Sequence, residues 1–369
     1  MPDEAREVDV RGGMSKEARR DPAAVLRRIA LLLEQTGAEA HRARAFRRAA
    51  GAVAALAQRE LEQRAREGTL QALPGVGDVT SSVAADVLAG RPVPYLERLE
   101  VEAARLDDAP GSELLHALRG DCHVHSDWSD GHATIQEMAE AARDLGHDYM
   151  VLTDHSPSLR IARGLSPERL REQLDVVAAL NVELAPFRIL TGIEVDILED
   201  GALDQEDELL ARLDVVVGSV HSLLRMERAP MTERMLAAVA QPHLDILGHC
   251  TGRMRRRGRD RPESEFDAAA VFAACARHDK AVEVNSLPER RDPPRRLIDL
   301  ALAAGCRFAL DSDAHYPGQL ANKRDGARRA MEQGVPAERI VNALDADALL
   351  AWTASHTAAS RPGRAAGDA

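Results

Sequence analysis

From Asp121 onward, short runs of apolar and β-branched residues recur, with stretches of helical spacing between them. The runs are Cys122–Val124, Tyr149–Thr153, Arg188–Val195, Leu213–Val220, Leu244–Gly248, Ala281–Val284 and Arg307–Leu310. Between them lie helical stretches such as Thr134–Leu145, Pro167–Leu180, Asp267–His278 and Leu297–Ala304. Alternation of this kind argues for parallel strands joined by crossover helices. Seven such units in roughly 230 residues predict an α/β fold, a closed or nearly closed (β/α) barrel.

What ends each strand narrows the chemistry. His123 and His125 stand two apart, so on a strand both side chains point to one face. Asp130 follows in Ser-Asp-Gly. His155 closes the second strand, Glu194 lies near the end of the third, His221 closes the fourth and His249 the fifth, and Asp313 and His315 close the seventh. In a parallel barrel these positions share the C-terminal mouth, where barrel enzymes place their reacting groups. Six histidines and three carboxylates converging on one rim would repel one another and be poorly solvated without divalent ions. Imidazole with carboxylate is a ligand set that Zn, Mn and Fe accept. The remaining histidines (His41, His116, His132, His147, His243, His278 and His356) fall in helices or flanks and read as structural.

Residues 20–105 differ in texture: rich in Ala, Leu, Arg and Glu at helical spacing, without a strand-like run. Helices are expected over Val25–Leu33 and His41–Leu56, and the glycine loop Leu73-Pro74-Gly75-Val76-Gly77 leads into another over Val79–Leu88. The expected organisation is a flexible tail (1–19), a small all-helical domain (20–105), a linker (106–118), the barrel (119–352) and a disordered end (353–369). No window approaches the roughly 18 consecutive apolar residues of a membrane span, and the first residues lack a secretory apolar core. Four scattered cysteines, Cys122, Cys250, Cys275 and Cys306, suit a reducing, cytoplasmic compartment. The net charge of −12 argues at first against nucleic acid as a partner. Residues 20–105, however, carry 13 arginines against 11 acids, and an unfilled cation site accounts for part of the remaining acidity. The only lysines are Lys16, Lys280 and Lys323.

The motifs His123-Val-His125-Ser…Ser129-Asp130-Gly131, Thr153-Asp154-His155-Ser156, Gly192-Ile-Glu194-Val-Asp196, Ser219-Val-His221-Ser222, Gly248-His249 and Asp311-Ser-Asp313-Ala-His315 resemble the PHP (polymerase and histidinol phosphatase) phosphoesterase family. The likeness is nearest to the PHP domain at the C-terminus of bacterial family X DNA polymerases. Gly164-Leu165, Asp200-Gly201-Ala-Leu203-Asp204 and Glu283-Val-Asn285-Ser-Leu-Pro288-Glu-Arg290 support that branch. Asp21–Leu33, His41-Arg-Ala-Arg-Ala-Phe46 and Leu73-Pro-Gly-Val-Gly-Asp resemble the N-terminal helix-hairpin-helix domain of the same polymerases. There Gly75 and Gly77 would let backbone amides approach a phosphate at a helix N-terminus.

The resemblance implies a distorted (β/α)7 barrel, preceded by the helix-hairpin-helix domain, with three divalent metal ions of Zn, Mn or Fe type. One ion would take His123, His125, Glu194 and Asp313. A second would share Glu194 and take His221 and His249, and the third would take Asp130, His155 and His315. Cys250 stands where this branch tends to have proline, which would make the site sensitive to oxidation. The amidohydrolase barrels, whose binuclear members often use a carboxylated lysine bridge, are disfavoured because no lysine lies between Lys16 and Lys280. The short span from Arg105 to Asp121 leaves no room for a polymerase palm, and a lysine-free 20–105 excludes a Schiff-base lyase there.

The expected activity is hydrolysis of phosphate esters by a metal-bound hydroxide, with Glu194, His155 and His249 as the catalytic residues. The general acid is left open between a metal-bound water and a histidine. The arginine run Arg253, Arg255, Arg256, Arg257, Arg259 and Arg261 follows the fifth strand. It would either track a nucleic-acid backbone or form a solvated loop held by acids such as Asp260 and Glu263. Arg163 and Arg290 are further candidates for phosphate contact. Three readings remain: a phosphoesterase acting on DNA (3′-5′ exonuclease or 3′-end phosphatase in repair), a small-molecule phosphomonoesterase of the histidinol-phosphate or nucleotide type, and a DNA-binding adaptor with a non-catalytic barrel.

Overall fold

The computed structural model describes residues 14–359, apart from 39, 108, 257 and 259. The chain divides into two compact units between Ala109 and Pro110. The first is all-helical: α1 (Pro22–Gln35), α2 (Ala40–Ala54), α3 (Gln58–Glu67), α4 (Asp78–Leu88) and α5 (Pro94–Asp107). Asp21 caps α1 by accepting from the Ala23 amide at 2.8 Å, and Pro22 fills the first helical position, where no N–H is needed. Leu26, Ile29, Leu32 and Leu33 on α1 bury against Phe46, Ala49, Ala50 and Val53 on α2 and Val83, Ala84 and Val87 on α4. The hairpin before α4 turns at Gly75, whose φ of +83° suits glycine. A Cβ there would also lie 3.3 Å from Cβ of Arg48. Gly77 is the N-cap of α4, its amide donating to Oγ1 of Thr80 at 2.9 Å.

The second unit opens with α6 (Ser112–Ala117) and then alternates. The strands are β1 (Gly120–Val124), β2 (Tyr149–Leu152), β3 (Arg188–Asp196), β4 (Val215–Ser219), β5 (Ile246–Leu247), β6 (Ala281–Asn285) and β7 (Arg307–Asp311). The helices that follow α6 are α7 (Ile135–Asp144), α8 (Pro167–Leu184), α9 (Asp207–Leu210), α10 (Arg228–Val239), α11 (Ala268–Arg277), α12 (Arg295–Ala304), α13 (Lys323–Glu332) and α14 (Ala346–Ala359). The sheet order is sequential from β1 to β7, and every neighbouring pair is parallel. β1 meets the segment just after β7 through the bridge of Val124 with Ala314, and the His125 amide donates to the Ala314 carbonyl at 2.8 Å. The barrel is therefore nearly closed. The helix starts follow from their caps: Thr134 and Glu137 form a capping box on α7, and Ser166 caps α8 ahead of Pro167.

Two boundaries differ from the sequence expectation. The expected linker over 106–118 is largely helical, since α5 runs to Asp107 and α6 fills Ser112–Ala117. The expected disorder from 353 is corrected by α14, which continues to Ala359. Leu349 and Trp352 of α14 pack with Cys122, Tyr149, Val151, Val217 and Ile246 in one buried cluster. His356 Nδ1 sits 2.6 Å from Oδ1 of Asp245, just before β5. An Ala- and Thr-rich segment is thus ordered by what it covers. Most of the expected N-terminal tail, residues 1–13, lies outside the described residues, and Ala18–Arg20 forms a short 3₁₀ turn.

Candidate metal centre

The end of β1 reads Cys122-His123-Val124-His125. Cys122 and Val124 enter apolar clusters, while His123 and His125 face the mouth, both fully buried. The turn that follows is tight: the Gly131 amide donates to the Ser126 carbonyl at 2.9 Å. A Cβ on Gly131 would lie 2.5 Å from that carbonyl oxygen. Buried Asp154 fastens this turn to the end of β2, accepting from the Ser126 amide (2.8 Å), the hydroxyls of Ser126 (2.6 Å) and Ser129 (2.5 Å), and Gln173 (2.7 Å). It thereby sets Asp130 relative to its own neighbour, His155.

Glu194, 1% exposed, is where the strands meet. Its Oε1 lies 2.8 Å from His249 Nε2 and 3.3 Å from His221 Nε2. Its Oε2 lies 2.9 Å from His155 Nδ1, 3.3 Å from His123 Nε2 and 3.6 Å from His125 Nε2. Asp130 approaches His155 Nε2 at 3.5 Å and His315 Nε2 at 3.4 Å. Oδ1 of Asp313 approaches His125 Nε2 at 3.3 Å and His315 Nδ1 at 3.7 Å. Asp313 holds a left-handed φ of +54°, uncommon outside glycine. It is pinned by Arg290 Nε at 2.8 Å and Asn285 Nδ2 at 3.0 Å, both donating to Oδ2. All nine residues expected as ligands therefore converge.

Their electrostatics suit a cation. Burial alone would raise the Glu194 carboxyl, but attraction from His123, His221 and His155 outweighs it and holds it well below the usual range. Burial would lower His155, but Glu194 and Asp130 lift it to about 10. His125, buried and beside His315 and His155, falls to about 3 and presents a neutral imidazole. Buried His123 Nε2, His125 Nδ1 and Nε2, Asp130 Oδ1, Glu194 Oε2 and His221 Nε2 lack hydrogen-bond partners. Buried polar atoms are rarely left so, and here they face one another across a space flanked by three carboxylates. Three donor groups are compact enough for an ion: His125, Asp130, His155 and His315; His123, His125 and Glu194; and His155, Glu194 and His221. All three groupings differ from the expected sets: the first adds His125, Asp313 lies outside the second, and His155 takes the place of His249 in the third. The residues present fit divalent ions.

The remaining expected contacts are distributed differently. Arg290 is buried against Asp313 with its NH1 unpartnered. The guanidinium of Arg163 donates to the carbonyls of Asp127 and Ser129 and so braces the Asp130 turn. Arg253 donates to the carbonyls of Arg290 and Arg291. Arg253, Arg255, Arg261, Arg228 and Arg296, with Glu263, line a cleft of about 830 Å³. Arg253 and Arg296 both approach Glu263. Arg255 and Arg256 are exposed, and Arg257 and Arg259 lie outside the described residues. Gly75 and Gly77 are exposed in the other unit. Cys250 is buried; burial, with Asp292 next, raises its thiol well above the usual range, so the expected oxidation sensitivity is opposed by the fold. Glu283, absent from the expected set, lies fully buried 2.6 Å from His123 Nδ1. Its signal was present in the sequence, as a carboxylate and an amide alternating with valines in Val282-Glu283-Val284-Asn285.

Comparison with known proteins agrees with this architecture. Residues 121–287 match the PHP domain family and residues 17–90 the helix-hairpin-helix domain family. A DNA polymerase/3′-5′ exonuclease PolX of Bacillus subtilis is 37% identical over 229 residues, covering 62% of this chain and 40% of that protein. The chain thus spans well under half the length of that relative. A protein of Thermoanaerobacter sp. named "Probable phosphatase" is 27% identical over 236 residues, covering 60% of this chain and 89% of that protein. A solved histidinol phosphate phosphatase of Lactococcus lactis, complexed with zinc, L-histidinol and phosphate, matches at a TM-score of 0.36 and 16% identity. It covers 66% of this chain and 94% of that one, a likeness too loose to argue from. The chain thus carries a PHP domain over residues 121–287 and a helix-hairpin-helix domain over residues 17–90.

Proposed function

We propose that the chain is a divalent-metal-dependent phosphoesterase that hydrolyses phosphate ester bonds at the 3′ end of DNA. The observation that carries the reading is the meeting of five imidazoles on the single buried carboxylate of Glu194, within 3.6 Å. His123, His125, Asp130, His155, Glu194, His221, His249, Asp313 and His315 would hold up to three ions. When bound, such ions supply an activated water and neutralise phosphate charge. The chain's own residues do the rest. Glu194 holds five rings around one point, and His155 and His249 stand closest to it, at 2.9 Å and 2.8 Å. Arg290, fixed by Asp313 through Nε, keeps an unpartnered NH1 for a phosphate oxygen. Arginine suits that task because its planar fork stays charged.

The DNA reading is supported by the helix-hairpin-helix domain, by exposed Arg255 and Arg256, and by likeness to a polymerase/exonuclease. Among the described residues only α6 lies between α5 and β1, which leaves no place there for a polymerase palm. A small-molecule phosphomonoesterase is the second reading, favoured by the match to 89% of a "Probable phosphatase". An adaptor with a non-catalytic barrel is disfavoured because every expected ligand position is filled. The test offers purified protein with Mn²⁺ a 3′-recessed oligonucleotide and histidinol phosphate side by side. The proposal expects the larger kcat/KM on the oligonucleotide; turnover confined to histidinol phosphate overturns the DNA assignment.

A further inference from the structure

Every barrel strand except β6 ends in, or runs into, at least one of the nine clustered residues. β6 instead points two buried polar side chains, Glu283 and Asn285, at the same centre from behind. Being two apart, they share a face, while Val282 and Val284 enter the apolar core. Oε1 of Glu283 lies 2.6 Å from Nδ1 of His123, on the ring edge opposite the Nε2 that faces Glu194. Its Oε2 accepts from the His249 backbone amide at 2.5 Å. Asn285 Nδ2 donates to Asp313 Oδ2 at 3.0 Å and lies 3.3 Å from Glu283 Oε2, while its Oδ1 accepts from the Leu287 amide at 3.0 Å. The two residues therefore grip β1, β5 and the segment after β7 at once.

We propose that Glu283 and Asn285 are positioning residues that set the metal affinity of the centre, a role resting on the metal-centre reading above. With Oε1 accepting from His123 Nδ1–H, the Nε2 lone pair is left turned toward Glu194, the form a metal ligand needs. The same carboxylate fixes the backbone from which His249 reaches Glu194. Glu283 belongs to none of the compact donor groups. A buried Glu that served packing alone would not need to hold both a ligand ring and a ligand backbone.

The test uses Glu283→Gln, which keeps shape and removes one acceptor. Two N–H donors, from His123 and His249, then face one oxygen and one NH₂, so one of them loses its partner. Zn²⁺ binding is measured without substrate by competition with a chromophoric chelator. The expected result is at least one ion bound 10- to 100-fold more weakly, as loss of an outer hydrogen-bond partner produces at histidine ligands. The number of ions at saturation should be unchanged, and excess Zn²⁺ should restore kcat with KM unaltered. Affinities all within twofold of wild type, with only a lower Tm, would assign Glu283 to folding and overturn the proposal. If Glu283→Gln does not fold, Asn285→Ala, which removes the donor to Asp313 and the acceptor of the Leu287 amide, is expected to weaken one ion about fivefold; unchanged affinity there overturns it equally. A wild-type chain that takes up no Zn²⁺ would defeat the metal reading itself, a result distinct from a loaded centre indifferent to Glu283.

Discussion

Nε2 of His249 lies 2.8 Å from Oε1 of Glu194, so the second residue after the short strand β5 meets the carboxylate of β3 deep in the mouth. His249→Ala would take one ring from that carboxylate without touching the others. The account expects at least a 100-fold fall in kcat on any phosphate ester turned over. Retained turnover at saturating Mn²⁺ would remove His249 from the centre.

Arg290 Nε donates to Oδ2 of Asp313, the carboxylate whose Oδ1 faces His125. Arg290→Ala should lower kcat/KM about 10- to 100-fold, the scale of a hydrogen bond to a charged group. It should also free Asp313 to move from its left-handed backbone. Arg290→Lys keeps charge but not the fork, and should recover little. Steady-state kinetics on a monoester separates the two variants.

Exposed Arg255 and Arg256 bear on the DNA reading through salt. Replacing both by alanine should make log K against log[salt] shallower by about 2, close to one unit for each phosphate no longer neutralised. Fluorescence anisotropy with a labelled oligonucleotide at several salt concentrations reads this directly. An unchanged slope would assign the arginine loop to the solvated reading.

Burial keeps the Cys250 thiol protonated, so its folded-state pKa lies above its unfolded value. At pH 7.5 the thiolate, the reactive form, is correspondingly scarce. Native protein should resist iodoacetamide at Cys250 and become labelled once urea unfolds it. Mass spectrometry of the modified peptide checks this, and labelling of the native chain at the rate of a free thiol would contradict it.

The barrel was legible because β-branched runs mark its strands and because their histidines fall at strand ends. All seven strands and the convergence of nine side chains follow from that one pattern. Glu283 was read only within a motif and given no place in the site, because a lone carboxylate inside a valine run resembles a solvent-facing strand residue. The alternation that paired His123 with His125 applies equally to Glu283 and Asn285. The helix α14 was missed for a different reason. Its order comes from Trp352 and His356 covering the barrel, a tertiary effect that an Ala-rich segment does not announce. Trp352→Ala should accordingly cost about 3–5 kcal/mol of stability, read from denaturant unfolding of the barrel; a loss under about 1 kcal/mol would mean that α14 is not part of its core.

The central claim is that Glu194 gathers its histidines to hold divalent ions. Glu194→Gln preserves volume but removes the charge on which five imidazoles converge. The decisive measurement is metal content per chain by mass spectrometry after Zn²⁺ loading and desalting, wild type beside Glu194→Gln. The account predicts two to three ions on the wild type and loss of at least one on the variant, with hydrolysis of bis-p-nitrophenyl phosphate falling in step. A metal-free wild type, or a variant that keeps both its full complement and its turnover, would contradict it.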